Sequence, residues 1–154
     1  MASYFGRGSV ALHATTDIVL INLHAAATVR PKVFHMIISS SATPADSAAR
    51  FVVQRSTTKG TGGTEVTAVP ALDPGDPTSL ATYTPPTFSA DPTLTAGALL
   101  FSCGVYQRHP FQFYANGPRG MWVAPATANN GLAVYSEESN AGTAIHTCGL
   151  TWEE

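Results

Sequence analysis

Residues 98–108, ALLFSCGVYQR, and 143–152, TAIHTCGLTW, decide the fold class, because both alternate with a period of two. In the first run Leu99, Phe101, Cys103 and Val105 fall on one face, and Leu100, Ser102, Gly104 and Tyr106 on the other. In the second, Ala144, His146, Cys148, Leu150 and Trp152 make the more apolar face. Successive side chains of a strand point to opposite faces, so this pattern predicts half-buried β-strands. Gly104 is the expected bulge in the first of them.

Working outward, strands are predicted at Ser9–Ala14, Thr16–His24, Lys32–Ser40, Arg50–Ser56, Ala98–Arg108, Pro110–Tyr114, Gly120–Val123, Leu132–Ser136 and Thr143–Trp152. Turn residues bound them, among them Asn116-Gly117-Pro118, Asn130-Gly131 and Asn140-Ala141-Gly142. The helical spacing i, i+3, i+4, i+7 is never sustained. The best helix candidate is Thr43–Arg50, with Thr43 as N-cap and Pro44 at the first position. Many short strands with almost no helix predict an all-β chain of one domain, residues 1–154. The expected architecture is an antiparallel β-sandwich of jelly-roll type with one long irregular arm.

That arm is Ser56–Thr95, crowded with Gly, Pro, Thr and Asp and without periodicity. So long a structureless stretch is uncommon in a compact domain unless it has a task. The expectation is that it lies on another molecule, with Met1–Gly8 as a second, N-terminal arm. Tyr4, Phe5, Arg7, Leu72, Asp73, Asp76, Tyr83 and Phe88 are then the expected oligomer or partner contacts.

Charged residues are 12% of the chain, about half of the ~25% usual in soluble domains. A surface so poor in charge suits burial against copies of itself or a partner. Residues 1–55 carry Arg7, Arg30, Lys32, Arg50 and Arg55 against Asp17 and Asp46, whereas Glu137, Glu138, Glu153 and Glu154 follow Arg119 with no further Lys or Arg. No basic stripe exists, so no direct nucleic-acid partner is expected. No apolar run approaches the ~18 residues of a membrane span, and the N-terminus MASYFGRGSV lacks the apolar core of a signal peptide. No membrane is expected, and synthesis is expected in a cytoplasm.

Chemistry finds little footing. His13, His24, His35, His109 and His146 have no metal-ligand spacing, so neither zinc nor a cupin-like metal enzyme is favoured. Asp73 and Asp76 flank Pro and Gly, which is turn chemistry before it is a calcium site. Lys59-Gly60-Thr61-Gly62-Gly63-Thr64 lacks the ending of a phosphate-binding loop, and the pairs Glu137-Glu138 and Glu153-Glu154 point to opposite faces of a strand. No catalytic residue, cofactor or metal is therefore expected. Cys103 and Cys148 read as buried free thiols, with a disulfide between adjacent strands left open. The aromatics Tyr106, Phe111, Phe113, Tyr114 and Trp122 cluster in sequence. Tyr106, Tyr114 and Trp122 are candidate surface rings, for protein contact or for stacking on a sugar in a carbohydrate-binding or fibre module.

Several stretches from residue 30 onward, RPKVFHMIIS, FVVQRSTTKGTGGTEVT, ALDPGDP, ADPTLTAGALL, GMWVAPATANNGLAV and the closing TWEE, together resemble small virion proteins of tailed phages, in the style of decoration or cement proteins. The resemblance implies a jelly-roll or related sandwich that assembles as a homotrimer, binds the major capsid protein at the outer surface of the virion, and reinforces the shell. It leaves residues 1–29 uncovered and implies no catalytic residue.

Overall fold

The structure is a computed structural model that describes residues 1–13, 15–137 and 144–154. The described residues form ten strands: β1 (Ser3–Ala11), β2 (Ile18–His24), β3 (Lys32–Ala42), β4 (Ala48–Ser56), β5 (Thr82–Thr84), β6 (Leu94–Tyr106), β7 (Phe111–Tyr114), β8 (Trp122–Val123), β9 (Gly131–Ser136) and β10 (Ile145–Glu153). A single 3-10 turn at Pro118–Gly120 is the nearest they come to a helix. All strand pairs are antiparallel, in two five-stranded sheets. One runs β1-β10-β3-β7, with β8 beside β3; the other runs β5-β2-β9-β4-β6. The chain is thus an all-β, antiparallel sandwich.

The main core lies between the sheets and contains Tyr4, Leu20, Leu23, Met36, Ile38, Phe51, Val53, Leu132, Val134, Leu150 and Trp152. Trp152 is fully buried, with the Tyr4 ring stacked 5.9 Å away and Tyr83 meeting it edge-on at 6.3 Å. A second, smaller core lies on the outer side of the other sheet. Val19, Val52, Ala133 and Tyr135 are buried there beneath Phe88 and Leu94. Both faces of β2, β4 and β9 are therefore covered, and this is why IVLINL, FVV and LAVY read as continuous apolar runs rather than alternations.

The cover is the Ser56–Thr95 segment, which corrects the expectation of an arm laid on another molecule. Residues 82–84 form β5 against β2, and Val69 and Ala81 are buried. The Ser56 hydroxyl donates to Asn22 Oδ1 (2.8 Å), Asn22 Nδ2 donates to the Thr58 carbonyl (3.2 Å), and His24 Nε2 lies 2.8 Å from Thr84 Oγ1. Gln54 Nε2 reaches the Thr95 carbonyl at 2.8 Å. Glu154 fastens the middle: its carboxylate accepts from the backbone of Leu80 (2.9 Å) and Ala81 (2.9 Å) and from the Ser79 hydroxyl. Turn-rich sequence here means irregular backbone, yet parts of it bond to this chain itself: Val66 and Tyr83 exchange amide–carbonyl bonds of 2.8 and 3.3 Å, and the Ser79 amide donates to the Val69 carbonyl at 3.0 Å.

Three more expectations are corrected. Met1–Gly8 is no free arm: β1 begins at Ser3 and pairs residue for residue with β10, so the strand starts six residues before the predicted Ser9, while Ala14 lies outside the described residues. Thr43–Arg50 is not helical; Thr43 sits at φ 45, and Ala48–Arg50 pair with Tyr106–Gly104 of β6. A two-turn helix is marginal by itself, and a ladder to β6 with Ala49 buried prevails. Gly104 pairs in register with Arg50, and the irregularities of β6 fall instead between Leu94 and Phe101. The other predicted strands are found, with most ends moved by a residue or two; in the 120–123 stretch only Trp122–Val123 is strand. The start of the last strand at Thr143 and the turn Asn140-Ala141-Gly142 lie outside the described residues. Both cysteines are free, and they belong to different sheets: Cys103 pairs with Phe51, and Cys148 lies between Gly8 and Ile38. The bridge between adjacent strands is therefore not formed.

Candidate functional site

The outer face of the β1-β10-β3-β7 sheet carries the exposed Phe5, Tyr114 and Ile145. Cross-strand register aligns Phe5, Thr151, His35 and Tyr114 in one row, and Arg7, Gly149, Ile37 and Gln112 in the next. Phe5 is 41% exposed and Tyr114 65%. The Tyr114 ring stacks on His35 with centroids 4.3 Å apart and planes 18° from parallel, and its hydroxyl donates to Gln112 Oε1 at 3.0 Å. His35 Nδ1 is 3.2 Å from Thr151 Oγ1, and burial lowers the imidazole pKa, so the ring under Tyr114 stays neutral near pH 7.

Gly149 makes this face flat. A Cβ there would lie 2.8 Å from Phe5 Cε2 and 3.0 Å from Ile37 Cγ2, so glycine allows the Phe5 ring to lie down on the sheet. Arg7 is the one charge in these two rows. Ile145, 36% exposed, lies at the far end beyond a polar row of Ser9, Thr147 and Ser39, and the Lys32–Glu153 ion pair (3.6 Å) lies at the near end. Such a face can take a flat, weakly charged partner.

A second surface lies at the tip of the long segment. Leu72 and Leu80 are about three-fifths exposed there. A groove of about 440 Å³ runs between Ala2, Tyr4, Val29, Asp76, Pro77 and Leu80. Asp73 accepts from the Gly75 amide at 2.9 Å and the Asp76 amide donates to the Asp73 carbonyl at 3.0 Å, so both aspartates act in a turn. Among the described residues no three His, Cys, Asp or Glu side chains gather to hold a metal ion.

The predicted contact residues therefore separate. Phe5 and Arg7 share the flat face; Leu72, Asp73 and Asp76 share the tip. Tyr4 is buried, donating its hydroxyl to the Pro77 carbonyl at 3.1 Å. Tyr83 packs on Trp152, and Phe88 covers the second core. These three serve the chain's own interior. Trp122 is not a surface ring: it is buried, stacked 4.1 Å from Phe113 with Phe101 at 5.4 Å. Tyr106 and Tyr114 are exposed but belong to different sheets, so the three-ring platform is not assembled. Sequence reasoning missed His35, Ile37 and Gly149. The signal was there, since KVFHMIIS and HTCGLTW both alternate, but which face meets solvent depends on which sheet packs behind them.

No protein-family model matches the chain, and a search of curated proteins finds no significant match.

Proposed function

We propose that the chain is a non-enzymatic virion protein of a tailed phage, a decoration or cement protein that binds the outer capsid shell and stabilises it. Its partners in this reading are the major capsid protein and further copies of itself, and it resides on the capsid surface. We propose also that its sandwich is a jelly roll. With the short β5 and β8 set aside, the sheet orders are β1-β10-β3-β7 and β2-β9-β4-β6. That alternation of early and late strands is what two nested Greek keys produce, an architecture shared by viral capsid proteins, lectins and cupins.

The observation that carries the reading is the flat outer face around Phe5, Gly149, Ile37 and Tyr114. It is aromatic, nearly uncharged and smoothed by a glycine, the character expected of the centre of a protein contact. A carbohydrate-binding reading relied on three grouped rings and keeps only Tyr114 on this face.

The test is co-purification. Expressed with its virion, the chain should sediment with capsids, and Phe5→Asp or Tyr114→Asp should release it while each variant still unfolds cooperatively above the temperature of the assay. Sedimentation apart from any particle, or binding untouched by either variant, refutes the proposal. Glycan-array binding lost in Tyr114→Ala would replace it with the carbohydrate reading.

A further inference from the structure

We infer that the free edge of β6 pairs with the same edge of a second copy, joining two sandwiches through one continuous antiparallel sheet about a two-fold axis at Cys103. The inference does not depend on the capsid reading.

A strand edge is a row of unpaired backbone donors and acceptors, and proteins ordinarily blunt it with shortness, charge or a cover. The other edges here are blunted. β5 has three residues, β7 four and β8 two. The edge of β1 carries Arg7, and its start is covered where Tyr4 bridges Ala71 and the Leu72 amide donates to the Ser3 carbonyl at 2.7 Å. β6 is different. It has thirteen residues; the stretch from Leu94 to Leu100 is irregular, with Gly97 at φ 71, but along the regular Phe101–Tyr106 β4 pairs one side and no described strand lies along the other. Its side chains also report an open edge: Leu99 is 53% exposed, Tyr106 43%, and Phe101 and Cys103 are only partly buried although they face the core.

The occupant follows from charge and register. No charged residue lies between Asp91 and Arg108, so two copies of this edge meet without like-charge repulsion. Outward backbone groups alternate along a strand, so antiparallel self-pairing requires a two-fold through a residue. The regular part of β6 is Phe101–Tyr106, matched to Val53–Ala48 without a shift. Centred on Cys103, the pairing sets Phe101 against Val105, Ser102 against Gly104 and Leu100 against Tyr106. A centre at Gly104 sets Phe101 against Gln107, which is buried beyond the strand end and bonded to Ala45 and Ser47. A centre at Ser102 carries the pairing into the irregular stretch below Leu99. A contact this narrow buries less than the roughly 1,600 Å² of a standard interface, so the dimer is reversible and concentration-dependent.

Sedimentation velocity of the full chain over a wide concentration range should show monomer passing to dimer. Oxidation with diamide at mildly alkaline pH, which takes two thiols to a disulfide and the reagent to its hydrazine, should link the dimer through Cys103, and Cys103→Ser should abolish the link. The two Cys103 Cβ atoms are expected about 4.5–5.5 Å apart. Leu99→Lys with Tyr106→Lys, both at exposed positions, should keep the melting temperature and leave monomer only. Should that pair unfold the chain, Ser102→Lys on the outer face is the substitute. A monomer at every concentration overturns the inference. So does an oligomer, trimer included, that withstands the lysines and resists linking at Cys103; that outcome leaves the capsid reading standing.

Discussion

Glu154→Ala tests whether the long segment belongs to this fold or to a partner. The Glu154 carboxylate receives the amides of Leu80 and Ala81, the Ser79 hydroxyl and, at 3.2 Å, the Trp152 indole N–H. Hydrogen bonds to a charged acceptor contribute about 1.5–3 kcal/mol each, and a donor left buried and unpaired costs about 1–3 kcal/mol. Leu80 is exposed and water replaces its bond, and the single proton of the Ser79 hydroxyl, shared in the native chain with the carboxylate, can turn wholly to the Ala81 carbonyl 2.7 Å away. What remains is chiefly the Ala81 amide and the indole, so the expected loss is about 2–3 kcal/mol. For a chain of this size that lowers the melting temperature by about 4–12 °C, measurable by calorimetry. Limited proteolysis should open new cleavage between residues 70 and 82, because the latch on that segment is gone. Glu154→Gln, which keeps an acceptor without the charge, should fall between. An unchanged melting temperature together with an unchanged cleavage pattern would refute the idea that the segment is held by its own chain.

Trp152→Ala removes a fully buried ring between Tyr4 and Tyr83 and should cost about 3–5 kcal/mol in urea unfolding; a loss below about 1 kcal/mol would show that this part of the core is loosely packed. Burial drives His24 from 6.5 down to about 4, its nearby Glu65 offsetting only part of the effect. The unfolded chain therefore takes up that proton first as pH falls, and the stability held by neutral His24 is complete above about 6.5 and is lost on descending through about 4. That difference corresponds to about 3 kcal/mol, and His24→Gln should flatten the acid side of a stability–pH curve; an identical slope in the variant contradicts it. Burial also raises the Cys103 thiol to about 11 and raises Cys148 further. Reductant should accordingly leave the melting temperature unchanged, and thiol reagents at neutral pH should react slowly at Cys103 and with Cys148 only on unfolding. Gly149→Ala should tilt Phe5 off the sheet and cost about 1–3 kcal/mol by overpacking; full native stability would mean that the ring moves freely.

Sequence alone determined the all-β class and most of the strands, because alternation along ALLFSCGVYQR and TAIHTCGLTW is a local property of a pleated backbone; it missed β5 and the starts of β1 and β4. The continuous apolar runs of β2, β4 and β9 are also plain in the sequence, but they do not alternate and so carry no statement of which face is buried. Only the tertiary structure decided what those runs meant. A run buried on both sides needs two covers, and the second proved to be the turn-rich segment that had no periodicity to read. Trp122 looked like a surface ring and Tyr4 like a partner contact for the same reason, since exposure is set by what packs across the sheet rather than by residue type. Likewise His35, Ile37, Gly149 and Phe5 became one surface through the register of three strands far apart in the chain. Periodicity is fixed between neighbours in sequence; burial, pairing and the open edge of β6 arise from contacts between residues that sequence places far from one another.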